Sequence, residues 1–374
     1  RFFGGGGGAA HPALIIDGKA LTAVAADGAE PALLRLARRC EAVIACRVSP
    51  GQKREVVAMV RAGVRPEPMT LAIGDGANDV PMITEAHVGV GISGNEGMQA
   101  VRSADYAIAQ FRYLKRLMLV HGRNNYRRVA VVILYSLYKQ MAFVTSLFLY
   151  NIVNGWSGTA VYDSWIMAGF NALYTFLPPI VYGFMEQDVR DETALTRPQL
   201  YVPGQRKENF NTTQLAVWMV NGLVHCALLF SLPYGVFAAA GIYDIGVVGT
   251  CMMCALSLVA NLRLVLEENH ISVVSHTATL LSVAVFYAWA LLLDAAWSIV
   301  RNFDSFSGVA RRTFGDGLVW LTVALTVVAM TGLDVAAKYA HRAYRPNATY
   351  VVQEQERLAG ARGSYRSLRD AESP

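Results

Sequence analysis

Six apolar segments, 129–152, 161–184, 214–239, 246–266, 276–297 and 317–338, follow one another in the second half of this 374-residue chain. Each is near the ~20 residues that cross a bilayer as a helix. Backbone N–H and C=O groups in hydrocarbon find partners only in one another, so such segments admit little besides helices. The pattern predicts an all-α membrane domain of six helices over 129–338. Composition agrees, with 54% of residues apolar and 16% charged, where soluble domains usually run nearer a quarter charged.

Even numbers of spans return the chain to its starting side, and the basic flanks indicate which side that is. The stalk at 112–128 (RYLKRLMLVHGRNNYRR) and the tail at 339–374 are rich in Lys and Arg, with Lys338 at the boundary and Arg342, Arg345 and Arg357 beyond it. The connections NIVNGWSGTAVYD and AAAGIYDIG contain neither. The positive-inside rule then places both flanks in the cytosol. Arg301, Arg311 and Arg312 in the fifth connection argue the other way, and the remaining flanks outweigh them. On this topology the sequons at Asn211 and Asn347 are cytosolic and carry no glycan. The net charge of +5 belongs to these flanks. No basic cluster interleaved with aromatics lies outside them, so no nucleic-acid partner is expected.

Ahead of the stalk, 12–111 alternates short β-rich runs with amphipathic helices. Strands are expected at 12–17, 42–48, 70–74, 87–92 and 105–109, with helices at 30–40 and 51–63. Near-continuous apolar strands between helices imply a mostly parallel sheet covered on both faces, with ligands beyond the carboxyl ends of the strands. The lead 1–11, starting at Arg1 and running through a glycine tract, reads as flexible low-complexity sequence of a longer protein. The five cysteines make no disulfide framework. Cys46 falls in a buried-looking strand, and Cys251 and Cys254 read as packing residues of an apolar helix.

LAIGDGANDV (71–80) ends a strand in a loop of carboxylates and an amide. Taken alone it is either a plain Gly/Asn/Asp turn or a magnesium loop, since that ion takes a carboxylate or two and keeps several waters. In the second reading Asp75 is the direct ligand, with Asn78 and Asp79 placing waters and phosphoryl oxygens. CRVSPGQK (46–53) shifts the balance. Ser49 is a helix cap, Pro50 a first helical residue, and Lys53 lies near a helix N-terminus that favours anions. Two such elements, each after a strand, make a phosphoryl site the better reading.

These motifs, with HVGVGISGNEGMQAVRSADYAIAQF (87–111), ILYSLYK (133–139) and NALYTFLPP (171–179), give the chain from Pro12 onward its resemblance to the C-terminal portion of a type IV P-type ATPase, the phospholipid-flippase branch. The resemblance implies that 12–111 is the C-terminal part of a HAD-like phosphorylation domain using ATP and Mg2+. It implies Asp75 and Asp79 on the metal side, Lys53 and Asn78 at the phosphoryl group, and Arg47 toward the nucleotide. It further implies a phospholipid substrate and an accessory glycoprotein β-subunit. The phosphorylated aspartate of such proteins lies in an Asp-Lys-Thr-Gly-Thr motif that neither Asp17 nor Asp27 matches, so the segment alone is expected to be inactive. Pro81 and Gln140 depart from the pattern, the latter casting doubt on any inferred lipid preference.

Two spans carry chemistry of their own. Lys139 stands about 11 residues past Arg128, roughly 16 Å into the membrane at ~1.5 Å per residue, where insertion costs about 2.5–3.5 kcal/mol. Pro178 and Pro179 remove two backbone donors, freeing the carbonyls of Tyr174 and Thr175, with Asn171 about a turn earlier. Lys139, Gln140, Asn171, Tyr174, Thr175, Pro178 and Pro179 are the expected lipid pathway. No Asp or Glu occurs at 130–150 or 165–184, which disfavours the rival reading of a cation-transporting pump. Two more rivals are a phosphatase domain on a membrane anchor and a non-catalytic product that only binds partners. Asn221 and His225 read as interhelical hydrogen-bonders, and Asp294 and Asp334 as span-end residues in polar surroundings.

Overall fold

The structure is a computed structural model that describes residues 12–94, 97–242, 244–299 and 306–358. The expectations for the lead 1–11, for Arg301 and for the tail past 358 fall outside these residues. The chain divides into two compact units, Arg1–Leu117 and Met118–Pro374.

The first unit runs β1 (Ala13–Asp17), α1 (Gly18–Ala26), α2 (Glu30–Ala37), β2 (Ala42–Cys46), α3 (Pro50–Gly63), β3 (Leu71–Gly74), α4 (Val80–Glu85), β4 (Val88–Ile92), α5 (Gln99–Ser103) and β5 (Tyr106–Ile108). The expected strands form within a residue or two of their predicted bounds. All pairing between these strands is parallel, in two separate sheets, β1–β2 and β3–β4–β5. Ala72, Ile83 and Ala100 form a small core under the second sheet. The first sheet corrects the expectation of a sheet covered on both faces. Every residue of β2 is exposed, Val43 at 46% and Ile44 at 52%, and Cys46 with them. The flanking helices α2 and α3 pack on each other instead, with Leu34 against Gly63. Asp17 caps α1 and Asp27 terminates it, so both are the turn residues their sequence contexts suggested.

The second unit is helical. The stalk is helical but irregular, with a π-type turn at Leu117–Gly122 leading into α6 (Arg123–Val153). There follow α7 (Ser164–Gly169), α8 (Leu177–Met185), α9 (Asp191–Thr196), α10 (Thr212–Ala239), α11 (Ile245–Glu267), α12 (Val273–Ile299), α13 (Val309–Gly315) and α14 (Gly317–Tyr344). Five helices among the described residues are long and apolar enough to cross a membrane. The segment 161–184 is not a single helix: a π-type turn at Phe170–Tyr174 separates α7 from α8. α11 is the centre of the bundle, its apolar window 78% buried where the other long helices reach 28–39%. Cys251 and Cys254 are packed inside this core, as expected of small apolar side chains.

Buried charge ties the bundle together at two points. Asp334 of α14 is 2% exposed and meets Arg263 of α11 at 2.8 Å, while Asn221 of α10 donates to it at 2.7 Å. His225 Nε2 lies 3.6 Å from the same carboxylate, and its Nδ1 is 2.5 Å from the Tyr138 hydroxyl of α6. Asn221 and His225 are interhelical bonders, as read from the sequence. Asp334 is inside the bundle rather than at its polar edge, and Asp294, also buried, pairs with Arg311 at 3.2 Å. Arg312 pairs with Asp244 at 2.7 Å, so both described arginines of the fifth connection are neutralised locally. Asn211 and Asn347, the two sequon residues, accept backbone N–H groups of Gln214 and Tyr350 at 2.8 Å as helix caps.

The second point is Asp188, between α8 and α9. Arg123 grips its fully buried carboxylate with two bonds of 2.7 and 2.6 Å, and Arg127 adds a third contact at 2.9 Å. Gln353 of the tail helix donates to the Asp188 carbonyl at 3.0 Å. The two arginines are therefore structural and not only topological charge. Burial pushes the Asp188 carboxyl upward, but the Arg123 hydrogen bonds and the Arg127 and Arg123 charges outweigh it and hold the group below its ordinary value. A carboxylate depressed in this way contributes stability above its unfolded pKa of ~3.9 and loses it as pH falls through the lower folded value. The hub should accordingly survive mild acid and fail only below the ordinary carboxylate range. Removing one member of a buried ion pair costs about 3–5 kcal/mol. Asp188→Asn, which leaves two guanidiniums facing each other, should show that loss in denaturant or thermal unfolding near neutral pH.

Candidate functional site

The sequence SPGQ makes α3 start where it does. Ser49 Oγ accepts from the Gln52 N–H at 3.3 Å, Gln52 Oε1 accepts from the Ser49 N–H at 2.9 Å, and Pro50 supplies the first helical φ. This capping box fixes Lys53 in the opening turns. Its Nζ reaches Asp79 Oδ1 at 2.7 Å, joining the element after β2 to the element after β3. Asp79 Oδ2 accepts the Asp75 backbone N–H at 3.3 Å. Both Asp79 oxygens are thus engaged by the protein, while the Asp75 and Asn78 side chains are exposed. Pro81 sits in the first turn of α4, where it costs no hydrogen bond. Arg47 is exposed and takes a left-handed φ of 53° at the turn out of β2. It makes no side-chain hydrogen bond among the described residues.

Among the described residues no three His, Cys, Asp or Glu side chains gather into a metal cage. A free carboxylate at Asp75, an amide at Asn78 and a held carboxylate at Asp79 still fit magnesium, which takes few protein ligands beside waters and phosphoryl oxygens. Glycine shapes this loop. A Cβ on Gly74 would overlap the Asp79 carboxylate, whereas one on Gly94 would rest at an ordinary 3.5 Å from the Asp75 Cβ. Gly74→Ala should therefore cost roughly 1–3 kcal/mol as an overpacking change, and Gly94→Ala close to nothing. Unfolding midpoints of the two variants measured side by side check the contrast.

In the second unit the prolines act as the sequence implies. Pro178 and Pro179 start α8 and supply no N–H to the carbonyls four residues back. The Thr175 carbonyl accepts from Lys139 Nζ at 3.4 Å, and Thr175 Oγ1 accepts from the same nitrogen at 2.9 Å. The Tyr174 carbonyl accepts from Asn261 Nδ2 at 3.0 Å. Thr175 Oγ1 in turn donates to the Phe170 carbonyl at 2.6 Å, and the Tyr174 hydroxyl donates to the Ile166 carbonyl at 2.5 Å, closing the π-type turn on itself. Lys139 is 7% exposed. Its remaining neighbours are the rings of Tyr135 and Phe170, 5.6 and 5.8 Å from Nζ. No carboxylate pairs with it among the described residues.

Of the expected pathway residues, Lys139, Tyr174, Thr175 and Pro178 come together in this buried knot, with Pro179 half-buried beside it. Asn171 and Gln140 do not join it. Asn171 is exposed, Gln140 is half-buried, and neither side chain hydrogen-bonds among the described residues. Sequence reasoning missed Asn261, whose signal was a lone amide near the end of the apolar run 246–266.

A family model described as phospholipid-translocating P-type ATPase C-terminal matches residues 101–347. The chain is 38% identical to the probable phospholipid-transporting ATPase IM of Homo sapiens over 335 residues, which is 87% of this chain and 28% of that protein. It is 38% identical to the phospholipid-transporting ATPase DRS2 of Saccharomyces cerevisiae over 360 residues, 92% of this chain and 26% of that protein. To the probable phospholipid-transporting ATPase 5 of Arabidopsis thaliana it is 39% identical over 353 residues, 91% of this chain and 28% of that protein. The chain thus spans little more than a quarter of the length of these relatives. On the match over 101–347, the apolar helices and the knot they enclose, this multi-pass chain belongs to the phospholipid-translocating P-type ATPase C-terminal family.

Proposed function

We propose that this chain is the C-terminal part of an ATP-driven phospholipid translocase. The observation that carries the reading is Lys139, an ammonium buried among neutral groups with no carboxylate to balance it among the described residues. A cation pump would need carboxylates at this depth. An unbalanced ammonium beside carbonyls released from helical bonding, a hydroxyl and an amide suits the phosphate of a lipid headgroup. The pathway centres on Lys139, Thr175 and the Tyr174 carbonyl, and the 161–184 segment serves as a broken span, the second of six, tolerated because it is enclosed by protein. Asn171 and Gln140 belong to its approaches.

The first unit supplies the other half of the cycle. It contributes the carboxyl ends of its strands to a HAD-like phosphorylation domain whose acceptor aspartate lies in another part of the protein. Asp75 would hold magnesium, which when bound neutralises charge on the phosphoryl oxygens. Asp79 holds Lys53 in place beside that loop, and Lys53 offers its charge to the phosphoryl group. Asn78 orients an oxygen or a water, and Arg47 faces the nucleotide. With six spans and basic flanks, the first unit and the tail lie in the cytosol, and lipid moves toward the cytosolic leaflet. An accessory glycoprotein β-subunit is the proposed partner.

The test uses the full-length protein carrying this segment, reconstituted with phospholipid. Lys139→Ala removes a charge-assisted contact of about 1.5–3 kcal/mol and should reduce lipid-stimulated ATP hydrolysis about tenfold or more, with acyl-phosphate formation from ATP preserved. Asp75→Asn in the same assay should abolish turnover with or without lipid. An unchanged lipid dependence in the lysine variant would return Lys139 to a packing role.

A further inference from the structure

The two carbonyls freed by Pro178 and Pro179 are captured by side chains of different helices. Lys139 of α6 takes Thr175, and Asn261 of α11 takes Tyr174. Asn261 is completely buried, and its Nδ2 also donates to the Ser257 carbonyl at 2.8 Å. Both partners of Nδ2 are carbonyl oxygens, which only accept. That chemistry fixes the amide's orientation, because a flipped Asn261 would set its own oxygen against two acceptors. Oδ1 therefore faces away from both, and it is buried with no donor among the described residues.

Of the hydroxyls that share this condition among the described residues, two lie on the helices that supply the two donors. Ser257 Oγ, one turn before Asn261 on α11, and the Tyr135 hydroxyl, one turn before Lys139 on α6, are both buried without a partner among the described residues. An unpaired buried polar atom costs about 1–3 kcal/mol, and native interiors leave few of them. Capturing the Tyr174 carbonyl explains the Asn261 nitrogen. It explains neither the Asn261 oxygen nor the two hydroxyls, which an apolar core would replace at a gain in stability. The polypeptide beside them is also irregular, with Thr175 at φ −133° and Phe176 outside regular helix.

We propose that Asn261 is a headgroup-recognition residue. Its Nδ2 holds the Tyr174 carbonyl while Oδ1 accepts an N–H from the headgroup of a phospholipid whose phosphate pairs with Lys139. The Tyr135 and Ser257 hydroxyls complete the polar lining. The Thr175–Phe176 stretch is the element that yields to admit the headgroup. A primary amine, as in an ethanolamine or serine headgroup, satisfies Oδ1; a trimethylammonium has no hydrogen to donate. The assignment rests on the translocase reading and adds to it the class of lipid selected and the atom that selects it.

The test measures ATP hydrolysis by the full-length protein against increasing phosphatidylserine, phosphatidylethanolamine and phosphatidylcholine. Asn261→Leu, similar in volume, should erase about tenfold of the preference for the two amine lipids over phosphatidylcholine, read as the ratio of their half-activating concentrations. Tyr135→Phe and Ser257→Ala delete hydroxyls that hold nothing in the fold, so they should keep or raise the wild-type melting temperature. Each should raise the half-activating concentration of the amine lipids several-fold, with phosphatidylcholine unaffected. A wild-type preference for phosphatidylcholine overturns the assignment. An Asn261→Leu loss equal across headgroups, or hydroxyl variants with wild-type lipid responses, does the same while leaving the translocase reading intact. A wild-type protein activated by none of the three lipids removes the translocase reading itself, and the assignment with it.

Discussion

Two adjacent prolines set the constraint on which the membrane unit depends. Pro178 and Pro179 each withhold an N–H, so two consecutive carbonyls lose their helical partners within an apolar bundle. Each uncaptured carbonyl would carry a desolvation cost of several kcal/mol. The bundle answers with the two nearest side chains able to donate, Lys139 and Asn261. Those captures draw α6 and α11 against the broken segment. They also place an ammonium and an amide at one point inside the protein, with neutral partners only among the described residues. A lysine there is costly as a packing residue and well suited to a phosphate.

A second, independent device operates in the α/β unit. The Lys53–Asp79 pair bridges the loops that follow β2 and β3, strands that belong to separate sheets. The pair is partly exposed, so its contribution to stability is small; its value is positional. With both oxygens of Asp79 engaged, Asp75 is the carboxylate of this loop left exposed to solvent. Gly74 permits this arrangement by leaving room for the Asp79 side chain.

Local signals were legible and remote ones were not. The β-rich runs, the Ser49 cap and the prolines each depend on residues a few positions apart, and the structure forms them as read, adding the Gln52 half of the cap. The exposure of β2 was not legible, because an apolar run looks alike whether or not anything packs over it. Arg123 and Arg127 read as topological charge; their partner Asp188 lies some sixty residues away and offers no sequence spacing to count. Asp334 is the same case, with Arg263, Asn221 and His225 all on other helices. Asn171 was grouped with Tyr174 and Thr175 by helical spacing. The π-type turn and the departure of Thr175 from the helical path break that spacing, so Asn171 emerges on the outside. Asn261 was visible as a lone amide, but only the fold supplies the Tyr174 carbonyl that gives it a role.

The central claim is that the broken backbone at 174–179 builds the lipid site. Replacing both Pro178 and Pro179 with Ala in the full-length protein restores two helical donors and frees Lys139 and Asn261 from the carbonyls they hold. Because both prolines stand in the first turn of α8, where alanine is accommodated equally well, the double variant should keep its unfolding temperature. Its phospholipid-stimulated ATP hydrolysis should disappear. A double variant that folds and still responds to phospholipid as the parent does would contradict the account, since the lipid site would then not need the two freed carbonyls.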